Sequence, residues 1–119
     1  MVVSTHAKDK RASTLDELAV LASASAQTQY ERDVPHAFVA AELIERFATD
    51  LYHPKSSDFI DAFTEAELKD LAHLYGLVHT AGQRMQQTSV HSVTDLQKLP
   101  EWRQVMSLAK TLHDRFLRA

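Results

Sequence analysis

The chain has 119 residues, 45% of them hydrophobic and 24% charged, with a formal net charge of −3. That length suits one domain with one core and leaves little room for a separate catalytic domain, while two glycines and three prolines imply few turns and therefore helices. The absence of cysteine excludes a disulfide framework, a thiolate nucleophile and a cysteine-type zinc site.

The charge is unevenly placed. Residues 1–13 carry +2, residues 14–83 carry −8 from twelve acids against four bases, and residues 84–119 carry +3. An acidic body with basic ends is a poor nucleic-acid footprint, because nonspecific affinity comes from Lys and Arg displacing counterions from phosphate. No stretch resembles a secretory signal or approaches the roughly 20 apolar residues of a membrane span. A soluble, cytoplasmic protein is expected.

Residues 1–13 are polar, small and partly basic without periodicity, which predicts a mobile arm outside a single helical domain of residues 14–119. Thr14 and Glu17 have the spacing of a capping box, so a first helix is expected over residues 15–30, with Leu15, Leu18, Leu21 and Ala22 inward. Pro35 suits the first position of a second helix running to Tyr52. In it Ala40, Ile44, Phe47 and Leu51 share a buried face, and Phe38 falls among acids on the other side. Pro54 and the serines after it mark a loop, and Phe59, Ile60 and Phe63 should anchor a short helical turn.

The segment of residues 64–87 supports two readings. As one helix opened by a Thr64/Glu67 capping box, it keeps Leu68, Leu71, Tyr75, Val78, Gly82 and Met85 in an unbroken 3-4-3-4-3 register and leaves Leu77 facing solvent or a partner. Gly82 then marks a close helix crossing.

In the other reading, Leu71, Ala72, Gly76 and Leu77 resemble the general pattern of helix-turn-helix DNA-binding motifs. That resemblance implies a turn at Gly76 and a recognition helix presenting Thr80, Gln83, Arg84, Gln86 and Gln87 to a major groove. Val78 replaces the usual Ser or Thr cap of the second helix, and Gly82 replaces an apolar packing residue. Both departures favour the continuous helix.

After the polar stretch TSVHSVT, Ser92 or Thr94 can cap a short turn, and Pro100 starts a last helix in which Trp102, Val105, Ala109, Leu112 and Phe116 keep strict 3-4-3-4 spacing. No alternating strand pattern and no repeat is visible. The expected fold is all-α, a small antiparallel helical bundle of four main helices plus short helical turns.

Assembled chemistry is sparse. No two of the seven histidines lie at i, i+4 as a helical zinc site wants, and Asp70 with His73 is a single approximation to the paired motifs of a di-iron bundle. His73 and His79 lack the following lysine that a phosphotransfer bundle places near its histidine. Arg84 and His91 have a spacing seen in helical ribonuclease toxins, a remote alternative. No catalytic set, cofactor or metal site is therefore expected.

The sequence points to a non-enzymatic regulator or adaptor. It would bind a protein partner, and a second copy of itself as a homodimer, through an apolar helical surface with Phe38, Leu77 and Tyr52 as interface candidates. The rival is a DNA-binding regulator with Thr80, Gln83, Arg84 and Gln87 as its contacts.

Overall fold

The computed structural model describes residues 5–34 and 38–118. Within them the chain forms seven α-helices, one π-helical segment and no strand. The all-α class that the composition predicts is therefore the class observed.

Helix α1 spans Thr5–Leu21. Its inward positions are Ala7, Arg11, Thr14, Leu18 and Leu21, a 4-3-4-3 seam in which only Arg11 is not fully buried. Residues 5–13 are thus helical rather than an arm, a correction to the sequence reading; residues 1–4 of that arm lie outside the described residues. The expected Thr14/Glu17 cap does not form either. Thr14 Oγ1 donates to the Lys10 carbonyl at 2.8 Å inside the helix, and Glu17 pairs with Arg46.

The expected first helix is also broken in two. At Ser23 the backbone turns extended, and the serine oxygen caps helix α2, Ala24–Asp33, by accepting from Ala26 N–H at 3.1 Å. Fully buried Gln27 holds the break together. Its Nε2 donates at the end of α1 to the Leu21 carbonyl at 3.0 Å and to the Val20 carbonyl at 3.1 Å, the latter also accepting from Ser23 N–H.

Helix α3, Val39–Glu45, runs directly into a π-helical turn, Arg46–Leu51. The expected start at Pro35 lies outside the described residues. Val39, Ala40, Leu43 and Phe47 are buried, while Ile44 and Leu51 sit at the margin, so the predicted face is right at two of its four positions. Helix α4, Ser57–Ala62, buries Phe59 and Ala62, with Phe63 just beyond; Ile60 points outward, 43% exposed, and is no anchor.

Helix α5 runs unbroken over Glu65–Thr88. Its capping box is as predicted: Thr64 Oγ1 accepts from Glu67 N–H at 3.1 Å, and Glu67 Oε1 accepts from Thr64 N–H at 2.9 Å. The buried line is Glu67, Leu71, Leu74, Val78 and Ala81. Only Leu71 and Val78 are shared with the predicted seam, whose other members are half-buried along its edge. Gly82 does face a neighbouring helix, since a Cβ there would stand 3.5 Å from Ile44 Cγ2. Ser89 ends α5 in the left-handed region at φ 55.

Helix α6, Val93–Leu96, is one turn capped by Ser92 and tied to α2 by Glu31, which accepts from Val93 N–H at 2.9 Å. Helix α7, Pro100–Arg118, buries all five predicted residues. It lies between α1 and α5. Arg115 meets Asp70 at 2.7 Å and Arg84 approaches Glu101 at 3.9 Å, so α5 and α7 are antiparallel. Arg11 reaches the Phe116 carbonyl while Gln27, just past the end of α1, accepts from Trp102, so α1 and α7 are antiparallel too.

Gly76 sits mid-helix without a positive φ, and a Cβ there meets nothing within 4 Å. Gly76→Ala should therefore raise stability in urea unfolding by about 0.5–1 kcal/mol, where a turn glycine would lose stability. Gln27→Ala strands the Trp102 N–H and the Leu21 carbonyl, and should cost about 2–4 kcal/mol in the same measurement.

Candidate functional site

Among the described residues the most exposed large apolar side chain is Phe38, at 75%. It stands immediately before α3, in the N-cap position, with no capping side chain of its own. Its ring lies 6.5 Å from that of His91, tilted by 60°. Phe38, Ala40, Ala41, Met85, Val90 and His91 line an apolar groove of about 270 Å³. The geometry has a local cause: the left-handed Ser89 stops α5 and folds Val90 and His91 back beside Met85, with Val90 N–H donating to the Met85 carbonyl at 3.2 Å.

The three interface candidates read from the sequence do not converge. Leu77 is half-buried and packs against the edge of the core rather than standing free. Tyr52 is half-buried in an aromatic stack, 4.7 Å from Tyr75 and 5.8 Å from Phe47, with Phe59 edge-on at 5.5 Å. Burial, and then the neighbouring Tyr75, push its hydroxyl pKa up. Neither residue lines the Phe38 groove.

Thr80, Gln83, Arg84 and Gln87 are all exposed, but on one uninterrupted helix. The turn on which the recognition-helix reading depends is absent: the backbone passes through Gly76 as helix, and Thr80 Oγ1 donates to the Gly76 carbonyl at 3.0 Å. Arg84 approaches Glu101 on α7, whereas His91 packs by Phe38, so the Arg84 and His91 pair of the nuclease alternative has separate neighbours. Among the described residues no three of His, Cys, Asp or Glu gather as a metal site.

Comparison with protein-family models, curated proteins and solved structures returns no match. What the surface can do therefore rests on its own geometry.

A second polar feature escaped the sequence reading. Glu17 is 3% exposed, and its Oε2 meets Arg46 at 2.8 Å. Arg46 in turn lies over the Tyr30 ring, 4.9 Å from its centroid. Burial pushes the Glu17 carboxyl above its ordinary pKa of 4.5, more than Arg46 pulls it down. Glu67 goes the other way. Its hydrogen bonds from Arg11, ahead of those from Thr64, hold it below the same ordinary value despite burial. The only warning in the sequence was that Glu17 occupies a core-facing position of α1.

These opposite shifts give opposite pH dependences. The Glu67 contribution is present above pH 4.5 and is lost as pH falls through its folded pKa, so the penalty of Glu67→Gln should be largest near neutrality and vanish in acid. The native protein holds the Glu17 proton longer than the unfolded chain, so wild-type stability drops as pH rises from 4.5 through the folded value. Glu17→Gln should therefore gain on the wild type over that interval, as read from urea midpoints between about pH 3 and about pH 8.

Proposed function

We propose that the chain is a cytoplasmic, non-enzymatic helical adaptor or regulator that docks a protein partner on the Phe38 groove and self-associates as a homodimer through the same face. The observation that carries this reading is a phenylalanine 75% exposed at the mouth of a groove whose other walls are mainly apolar. Covering a Phe side chain is worth about 1.5–3 kcal/mol. An anchor of that kind beside a preformed concavity is the usual centre of a protein interface.

The acidic middle of the chain supports the same reading, since it disfavours nucleic acid and complements a basic or mixed protein surface. The continuous α5 takes away the turn that a helix-turn-helix regulator would require. No described helix is long and apolar enough to cross a membrane.

Phe38→Asp tests the proposal without touching the core. The expected result is an unchanged melting temperature and a shift from dimer to monomer in sedimentation equilibrium. A wild-type protein that stays monomeric as concentration rises, or a dimer indifferent to Phe38→Asp, would remove the groove as the interface.

A further inference from the structure

The Glu17 carboxylate presents an imbalance that the fold does not resolve. It is 3% exposed, and among the described residues its Oε1 has no hydrogen-bond partner. A carboxyl oxygen left buried and unpaired is costly, of order 1–3 kcal/mol, and such a group in a native protein calls for an explanation. Glu17 lines a cleft of about 310 Å³ together with Ser13, Asp16, Arg46, Asp50 and Leu51. Three acidic side chains against one guanidinium give that lining a formal charge of −2. The wall carrying Arg46 and Asp50 is the π-helical turn, a departure from α geometry that is found disproportionately at functional sites.

The cleft already shows what it accepts. Arg46 is a resident organic cation, held by one Glu17 oxygen and one ring face. The second oxygen is unused. A divalent metal fits poorly, because no three ligating side chains gather among the described residues and Arg46 opposes a double positive charge. An alkylammonium ion needs no such cluster: it carries a single charge, one N–H donor suits Glu17 Oε1, and the exposed Asp16 and Asp50 carboxylates add attraction from the cleft lining.

We propose that this cleft is a binding site for a primary ammonium group, with Glu17 Oε1 as its inner acceptor and Asp16 and Asp50 at its mouth. Oε1 is closed to solvent, so entry requires side chains of the cleft to shift. The ammonium can belong to a free amine or to a lysine side chain of another protein. This site is separate from the Phe38 groove and stands or falls without it.

The test is a ¹⁵N-HSQC titration of the full chain with n-propylammonium chloride, with tetramethylammonium chloride as a control of equal charge that lacks N–H donors. The expected result is saturating shifts at residues 13–17 and 46–51 with n-propylammonium only. Glu17→Gln should weaken that binding about tenfold. Asp50→Asn, on an exposed side chain that the core does not need, should weaken it about twofold to threefold.

Parallel titrations with putrescine and with N-acetyl-lysine methylamide distinguish the sources: tighter binding of the first points to a free amine, and of the second to a lysine side chain. Equal shifts with tetramethylammonium would mean only counterions over an acidic patch, and absent shifts an empty cleft. Either result overturns the proposal. If Glu17→Gln proves unfolded, an unweakened Asp50→Asn also overturns it.

Discussion

One guanidinium fixes one end of the bundle. Arg11 donates to both oxygens of Glu67 at 2.8 and 2.9 Å, to the Ala62 carbonyl at 3.0 Å and to the Phe116 carbonyl at 3.2 Å. Its flat face lies 5.4 Å from the Phe63 ring centroid and 5.7 Å from that of Phe116. The partners are chosen by helix electrostatics. Ala62 and Phe116 offer carbonyls from the last turns of α4 and α7, where orphan acceptors and the negative end of the macrodipole attract a cation. Glu67 sits in the first turn of α5, where a carboxylate is favoured. A planar fork meets all of these at once, which a lysine could not do.

At the far end the constraint is neutral. Gln27 spends both amide hydrogens on carbonyls of α1, and its oxygen accepts from Trp102 Nε1 and Gln97 Nε2, each at 3.1 Å. Buried and fully paired, it fixes how α1 stops, how α2 starts and where α7 lies. Glu17 lies on α1 between these two ends, and it lacks that completeness. The same low dielectric that strengthens the satisfied Gln27 network raises the cost of the free Glu17 oxygen. The Arg11–Glu67 pair and Gln27 thus organise helices, and Glu17 does so only in part.

That division also decides what could be read from sequence. In α7 every inward residue is apolar, so the 3-4-3-4 spacing from Trp102 to Phe116 translated directly into burial. The α5 capping box was equally plain, because Thr64 and Glu67 act on their own backbone. Helix α1 was misread since its inward side carries Arg11, Thr14 and, beside the seam, Glu17, whose burial depends on partners 29 to 105 residues away for the two charged ones. No local pattern announces such partners. The break at Ser23 was hidden for a related reason, as it is stabilised by a glutamine that reads as a surface residue until Trp102 is placed against it.

The Phe38 groove shows the same limit from the surface side. Phe38 was legible as an outlier because it falls out of phase with the apolar face of its helix. Its companions were not, since Val90 and His91 reach it through a left-handed serine, a conformation that serine rarely adopts. The unbroken α5 makes this arrangement possible. A turn at Gly76 would have sent the second half of the segment elsewhere; continuous helix instead carries Met85 the full length of the bundle to the place where α3 begins. The same continuity sets Ile44 against Gly82 and holds the start of α3, with Phe38 before it, close to the end of α5. The backbone that leaves no turn at Gly76 is therefore what brings Met85 beside Phe38.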